Sequence, residues 1–251
     1  MKTTTFRALL ASLVLVSASQ IASASQLISF ASQPGSDPNP MGDTLTYTSG
    51  GITVTETAWY VSNTSSSTKF ATAAVDAYNT LGLGVCNAGQ GANCASPYHQ
   101  IDNSSGVEFV LLQFSTPVNV SQIDLYDYQA IGSQANVNMT YYTAQTALST
   151  MSTNTTLGSL GTGTTVNTPC PGNNCVGVVT TDNVSTGTVS YLLIGASVPD
   201  SGTTVDEFKL NGVVVSTAIP EPSTFWMMLG LSATILIGRT VVSRKRQSLC
   251  S

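Results

Sequence analysis

The sequence predicts an all-β fold, a single antiparallel β-sandwich of the jelly-roll kind, from three observations. Short apolar segments alternate with polar residues, as half-buried strands do. Gly, Asn, Asp and Pro, which favour turns, interrupt these segments at short intervals. No long segment has the 3.6-residue period of an amphipathic helix. Between the two chain ends, about 195 residues remain, enough for one domain with its own core.

The first strands are predicted from a hairpin pattern. Thr44–Thr48 and Ile52–Tyr60 flank Ser49-Gly50-Gly51, and two strands around such a turn are typical of a hairpin. Lys69–Tyr78 is the candidate for one short helix. Val107–Phe114 is apolar on both faces, as a central sandwich strand is, and a turn at 116–119 follows it.

The later strands alternate more clearly, and Ala135–Tyr142 is the clearest of them. The others are Ile123–Tyr128, Val176–Thr181, Thr188–Ala196, Val205–Leu210 and Val213–Val215. Residues 143–169 are rich in Thr, Ser and Gly. They favour an irregular edge strand and a long loop over a flexible, O-glycosylated segment, because composition alone does not indicate a modification.

Charge is scarce and unevenly distributed. Only 8% of the residues are charged, and the net charge is −5. Between residues 25 and 220 there are two basic residues, Lys69 and Lys209, and twelve acidic ones, a net charge of −10. A protein that binds nucleic acid needs clustered Lys and Arg to neutralise phosphates, so that function is excluded.

The N-terminus has the pattern of a secretory signal peptide over residues 1–24. Lys2 and Arg7 supply positive charge before the apolar segment Ala8–Ala18. Ala22 and Ala24 are small residues at the positions that signal peptidase requires, which predicts cleavage after Ala24. The apolar segment is too short to span a bilayer core of about 30 Å. The chain is therefore predicted to be exported.

The C-terminus predicts a transmembrane helix at about 224–242. Phe225–Gly238 contains no charged residue, and Arg239 can extend its side chain to the membrane interface. The basic cluster Arg244, Lys245 and Arg246 follows and is expected to stay in the cytoplasm. Residues 25–218 are then an extracytoplasmic domain, held at the inner membrane in the precursor.

Pro220, Glu221 and Pro222 directly precede this apolar segment. A Pro-Glu-Pro motif, an apolar helix and a basic end, here residues 219–246, resemble the PEP-CTERM sorting signal of Gram-negative bacteria. The resemblance implies cleavage by an exosortase, delivery to the cell surface or extracellular matrix, and a link to exopolysaccharide and biofilm. Both prolines favour an extended backbone, which a protease cleft can accept.

Four segments of the body resemble a family of exosortase-dependent surface proteins. They are Gly82–Val85, the His99-x-x-Asp102-Asn103 motif, Val107–Phe114 and Asp206–Leu210. Glu108 stands where that family commonly has Asp, and the stretch from Cys86 to Cys94 is an insertion. The resemblance implies a surface location and no defined activity.

Four cysteines lie in the exported body and predict two disulfides. Cys86–Cys94 and Cys170–Cys175 are favoured among the three connectivities, because each pair closes a short Gly- and Asn-rich loop. Cys250 belongs to the tail. A zinc site with His99 is the alternative, but the chain has one His and no CxxC spacing.

The sequence contains no recognisable catalytic constellation. His99 lacks a G-x-S-x-G nucleophile motif, so a structural histidine is favoured over a catalytic one. Two carboxylates could serve a secreted hydrolase, or bind Ca²⁺ with loop carbonyls, but no spacing here is diagnostic. The acidic candidates are Asp102, Glu108, Asp124, Asp127, Asp206 and Glu207.

These observations predict a non-enzymatic surface or matrix protein without a required cofactor. Its partners would be signal peptidase, the exosortase, the inner membrane before processing, and exopolysaccharide. A carbohydrate-binding module is the main alternative, with Tyr126 and Tyr128 as candidate glycan contacts. A secreted hydrolase and an ice-binding protein are weaker alternatives, the latter because the threonines follow no evident period.

Overall fold

The computed structural model describes residues 25–36, 40–90, 100–127, 136–170, 176–198 and 205–217. These residues confirm the all-β prediction. The strands are β1 Gln26–Ser29, β2 Thr44–Ser49, β3 Ile52–Val61, β4 Ala71–Tyr78, β5 Gly82–Cys86, β6 Ile101–Asp102, β7 Val107–Asp127, β8 Asn136–Tyr142, β9 Thr164–Pro169, β10 Val179–Asn183, β11 Thr188–Ala196 and β12 Glu207–Thr217. One short helix, α1, covers Gln145–Ser149.

The predicted signal peptide and sorting signal lie outside the described residues. Within those residues, no helix is both long and apolar enough to cross a membrane. The predicted span at 224–242 belongs to the part of the chain that is not described, so it stays a prediction.

The strands form one continuous sheet instead of the two separate sheets of the predicted sandwich. The hydrogen-bonded order β12-β5-β4-β3-β7 returns to β12, because β7 also pairs with β12, and five strands thus close into a ring. β11, β8 and β9 extend outward from β7. The core of the domain is continuous from the ring to these outer strands.

The long strand β7 explains why a single sheet forms. Its first part pairs with β3 and its second part with β12 and β10, while β11 pairs with the first part and continues to Asn119. Pro117, where a turn was predicted, lies instead within the strand, between Phe114, the last partner of β3, and Val118, a partner of β12. Proline cannot donate a backbone hydrogen bond. Pro117 has no partner residue in the registers of β3, β11 or β12, so the strand tolerates it at this position.

The predicted helix at 69–78 is wrong, since Ala71–Tyr78 form strand β4 between β3 and β5. A short apolar segment does not distinguish a buried strand from a buried helix by its period. Here both faces of the segment are buried. Val75 belongs to the main core, whereas Ala74 packs with Cys86 in a small separate cluster.

Other strand predictions are confirmed with shifted bounds. The hairpin of β2 and β3 turns at Gly50 and Gly51, which both have positive φ, 54° and 83°, as a tight hairpin turn requires. The two short strands predicted at 205–215 are one strand, β12, with an irregularity between Leu210 and Gly212. β9 is an edge strand within 143–169, as predicted. That segment also buries Leu148, Leu157 and Leu160, more than its composition indicated.

Gly195 offers a direct test of packing at the centre of the sheet. It lies opposite Phe109, whose buried ring meets Phe70 and Tyr142 edge-on at centroid distances of 5.5 and 6.3 Å. A Cβ at residue 195 would overlap the Phe109 ring and lie 2.6 Å from the Glu108 carbonyl oxygen. We expect Gly195→Ala to lower the free energy of unfolding by about 2 kcal/mol or more in urea denaturation.

Gly35→Ala is the matched control for this substitution. A Cβ there would make only an ordinary contact, 3.5 Å from the Ala77 carbonyl oxygen. We expect a change within about 0.5 kcal/mol. Equal losses in the two variants would contradict the packing argument at Gly195.

Candidate functional site

Three of the segments that carry the family resemblance meet around β12. Leu210 of β12 lies opposite Leu83 of β5, and Glu207 lies opposite Asp102 of β6. β12 also pairs along its length with β7. Residues that are far apart in the sequence therefore form one buried polar network, which is the candidate site. His99 lies outside the described residues.

One half of the network is centred on two fully buried carboxyl groups, those of Asp102 and Glu108. Glu108 accepts hydrogen bonds from the Asp102 backbone N–H at 3.1 Å and from Asn87 Nδ2 at 2.8 Å. Asp102 Oδ1 accepts from the Ser104 backbone N–H at 2.8 Å and from Ser104 Oγ at 2.7 Å. Asp102 Oδ2 accepts from Gln90 Nε2 at 3.0 Å. Each of the four carboxyl oxygens thus accepts at least one hydrogen bond.

The other half joins the start of β12 to β8 and to the loop after β6. The Asp206 backbone N–H donates to Asn103 Oδ1 at 2.9 Å, and Asn103 Nδ2 donates to Asp206 Oδ2 at 3.4 Å. Asp206 Oδ1 accepts from the backbone N–H of Asn138 at 3.1 Å and from its Nδ2 at 3.0 Å. One aspartate therefore connects three separate parts of the chain.

Burial dominates the electrostatics of this network. It raises the pKa of Glu108 well above its usual value, and the nearby Asp102 charge raises it further. The pKa of Asp102 is also raised by burial, although hydrogen bonds from Ser104 and Gln90 oppose the change. Both carboxyl groups are enclosed and hydrogen-bonded, so this geometry favours bracing of the fold over contact with a substrate.

A polar depression of about 240 Å³ opens beside the network. Its lining contains no carboxyl group and consists of Ser62, Asn63, Thr64, Asn103, Ser104, Gly106 and Val107. The arrangement gives a hydrolase no pair of exposed carboxylates at this depression.

The remaining acidic candidates occupy two different environments. Asp127 is buried opposite Phe208, and burial together with the Glu207 charge raises its pKa to about 6. Asp124 is half-buried and accepts a hydrogen bond from Thr181 Oγ1 at 2.7 Å. In the described part of the chain, no three His, Cys, Asp or Glu residues are grouped so as to hold a metal ion.

The structure describes one of the two candidate glycan contacts, Tyr126. Tyr126 is half-buried on β7 and lies opposite Val179 of β10 and Lys209 of β12. Tyr128 lies outside the described residues. Cys86 and Cys170 are buried and disulfide-bonded, whereas Cys94 and Cys175 are not among the described residues. The pairings Cys86–Cys94 and Cys170–Cys175 therefore stay predictions.

Two buried polar groups, those of Lys209 and Glu56, were not predicted from the sequence. Lys209 is 2% exposed, and its Nζ lies 3.8 Å from the centroid of the Tyr78 ring, a cation–π contact. Glu56 faces inward at 0% exposure and accepts a hydrogen bond from Gln33 Nε2 at 3.1 Å. The signal was available for Glu56, because it occupies an inward position in an alternating strand.

The threonines of the β2–β3 hairpin do follow a period, contrary to the prediction. They occupy alternate positions of two paired strands, with Thr44 opposite Thr57, Thr46 opposite Thr55, and Thr48 opposite Thr53. The Thr48 and Thr53 hydroxyls are 2.9 Å apart. Opposite residues share a face of the sheet, so the hairpin carries six threonines on one side. The intervening turn obscures this period in the sequence.

The comparisons with known proteins add no relative: no family model, no curated protein and no solved structure matches the chain.

Proposed function

We propose that this chain is an exported, non-enzymatic protein of the cell surface or extracellular matrix, sorted through a PEP-CTERM signal. The carrying observation is the order of the segments: a signal peptide at 1–24, an acidic body, Pro220-Glu221-Pro222, an apolar segment and a basic end. In this proposal, signal peptidase removes the first segment, and an exosortase cleaves at or near the motif. The body then leaves the inner membrane for the surface and is associated with exopolysaccharide and biofilm.

The site geometry supports a non-enzymatic body. Asp102, Glu108 and Asp206 are buried, and each accepts a hydrogen bond from a backbone N–H group, those of Ser104, Asp102 and Asn138 respectively. A hydrolase needs carboxyl groups that reach the substrate. Disulfides within the two predicted cysteine pairs would suit an oxidising location outside the cytoplasm.

The sorting proposal predicts a defined mature protein. In a host with an exosortase, mass spectrometry of the released protein is expected to find an N-terminus near Ser25 and no peptide beyond the Pro-Glu-Pro motif. Replacing Pro220, Glu221 and Pro222 by Ala should leave a longer precursor in the membrane fraction. The body variant Lys69→Ala is the control and should be processed normally.

An intact tail through Ser251 on the released wild-type protein would contradict this proposal. So would normal release of the triple-alanine variant, since the motif would then have no part in recognition.

A second candidate function is carbohydrate binding by the body. The specific observation in its favour is that one face of the β2–β3 hairpin carries six threonine hydroxyl groups, in three pairs of opposite residues. Hydroxyl groups both donate and accept hydrogen bonds, as sugar hydroxyls do.

A further inference from the structure

The threonine side of the hairpin continues across two more strands. Thr55 of β3 lies opposite Gln113 of β7, and Gln113 lies opposite Tyr191 of β11. Ser115, two residues along β7, accepts a hydrogen bond from the Thr53 backbone N–H at 3.0 Å. We name this surface the outer threonine face. It consists of Thr44, Thr46, Thr48, Thr53, Thr55, Thr57, Gln113, Ser115 and Tyr191.

The outer threonine face is accessible and extended. The three threonines of β2, together with Gln113 and Ser115, are exposed, and Tyr191 is half-buried. The row from Thr46 to Tyr191 crosses four strands, which at about 4.8 Å per strand spans about 14 Å. It is long enough to contact several units of a polymer.

A helix and a depression adjoin the Tyr191 end of this row. Gln145 of α1 accepts hydrogen bonds from the backbone N–H groups of Ser190 and Tyr191, at 2.8 and 2.9 Å, and donates to the Tyr191 carbonyl at 2.8 Å. Gln145 also lines an open depression of about 400 Å³. The other lining residues are uncharged as well: Ala144, Thr146, Ala147, Thr150 and Ser159.

Charge selects among the polymers that this surface could bind. None of the nine residues of the outer threonine face is charged, and the inward-facing Glu56 is buried. The body from 25 to 220 carries two basic residues and a net charge of −10. One of the two, Lys209, is buried. An acidic polymer would therefore meet repulsion with Lys69 as the one exposed cation of the body to compensate it, whereas a neutral one would not be repelled.

We propose that the outer threonine face binds a neutral polysaccharide chain. The hydroxyl and amide groups of Thr46, Thr55 and Gln113 exchange hydrogen bonds with sugar hydroxyls, and the Tyr191 ring offers an amphipathic surface to a sugar ring. The inference rests on the proposed location outside the cell, and it deepens the carbohydrate-binding candidate. It places the binding surface on the hairpin side of the molecule instead of at Tyr126.

Affinity gel electrophoresis of the full-length chain in neutral detergent tests this inference. The gels contain dextran or hydroxyethyl cellulose as neutral polymers, or alginate as an acidic one. We expect at least one neutral polymer, and not alginate, to retard the wild-type chain. The triple variant Thr46→Val, Thr55→Val, Gln113→Ala should bind at least about tenfold more weakly, because valine keeps the shape of threonine without its hydroxyl.

The double variant Thr164→Val, Thr181→Val is the matched control, since both threonines are exposed on the other strands β9 and β10. It should be retarded like the wild type, with thermal unfolding showing that all variants are folded. The inference is overturned by no retardation in either neutral polymer, by equal retardation of the triple variant, or by loss of binding in Tyr126→Ala alone. Shaping of ice crystals without retardation would also overturn it and assign the face to ice.

These outcomes are separable from those of the sorting proposal. A chain that is cleaved at its tail but is not retarded overturns the glycan inference alone. A chain that is retarded but never cleaved overturns the sorting proposal alone.

Discussion

Raising the pH from about 5 to about 8 is expected to lower the free energy of unfolding by about 2–3 kcal/mol through Glu56 alone. Burial raises the pKa of this carboxyl group from 4.5 to about 7, and the hydrogen bond from Gln33 only partly opposes the change. Between pH 4.5 and about 7, Glu56 keeps a proton in the folded state that it has released in the unfolded chain. The stabilisation is therefore fully present below pH 4.5 and is lost as the pH rises through about 7.

The hydrogen bonds around Glu56 give this titration a structural reason. Gln33 Nε2 donates to one carboxyl oxygen of Glu56, whereas Glu56 Oε1 and Gln33 Oε1 are buried with no hydrogen-bond partner among the described residues. Ionised Glu56 would leave two acceptors without a donor. Protonated Glu56 can donate to the Gln33 carbonyl oxygen and complete an acid–amide pair.

Chemical denaturation at several pH values checks this prediction. Glu56→Gln should reduce the slope of stability against pH, because the amide does not titrate and can pair with Gln33. The remaining slope comes from other carboxyl groups whose pKa is raised by burial, including Asp102 and Asp127. Thr55→Val, on the opposite face of β3, is the control and should keep the wild-type slope. An unchanged slope in Glu56→Gln would show that Glu56 is ionised in the folded protein.

Asp206→Ala is expected to lower the free energy of unfolding by about 3 kcal/mol or more. The substitution would leave three donors without their acceptor: the Asn138 backbone N–H, Asn138 Nδ2 and Asn103 Nδ2. Unsatisfied buried donors cost about 1–3 kcal/mol each, because they lose water without gaining a partner; Asn103 is buried, whereas the two donors of the half-buried Asn138 contribute less each. Urea denaturation monitored by circular dichroism measures the change.

Asp124→Ala is the matched control for Asp206→Ala. Asp124 lies on the same sheet but is half-buried, and it accepts a hydrogen bond from the exposed Thr181 hydroxyl. Because water can replace this acceptor, we expect a loss below about 1 kcal/mol. Similar losses in both variants would mean that the Asp206 network does not brace the fold.

The positions of most strands could be predicted from the sequence, because their residues alternate. The hairpin of β2 and β3 is the clearest case, since its turn glycines and its alternating residues indicate the same register. β11 is another, with the predicted bounds Thr188–Ala196. In β3 the local pattern succeeds because buried and half-buried residues alternate along the strand, whereas β11 is a continuous apolar segment that is buried on both faces from Leu192 onward.

Two elements could not be predicted locally. The residues of β4 are buried on both sides, so no alternation distinguishes a strand from a helix. Pro117 has the local signature of a turn, yet β7 continues through it, because β11 pairs with the strand on both sides of Pro117 while β12 replaces β3 at the other edge. Both errors have the same cause: the partner strands come from distant parts of the chain.

The candidate site was predicted in part. The resemblance singled out Asp102, Asn103, Glu108 and Asp206, and the structure brings them into connected hydrogen-bonded clusters beside β12. Their relation to one another was not predictable, because Asn103 and Asp206 are over a hundred positions apart. The outer threonine face was missed for a similar reason, since its residues come from four strands.

The sequence by itself determined the all-β class, the acidic and charge-poor body, and the predicted export and sorting signals at its two ends. These features depend on composition and on short local patterns, which need no partner. Only the tertiary structure decided that the strands close into a ring, that Gln33 is the partner of Glu56 and Asp206 a buried acceptor, and that nine uncharged residues share one outer face. Each of these depends on strand pairing between distant segments, and pairing determines which side chains lose water and which keep it.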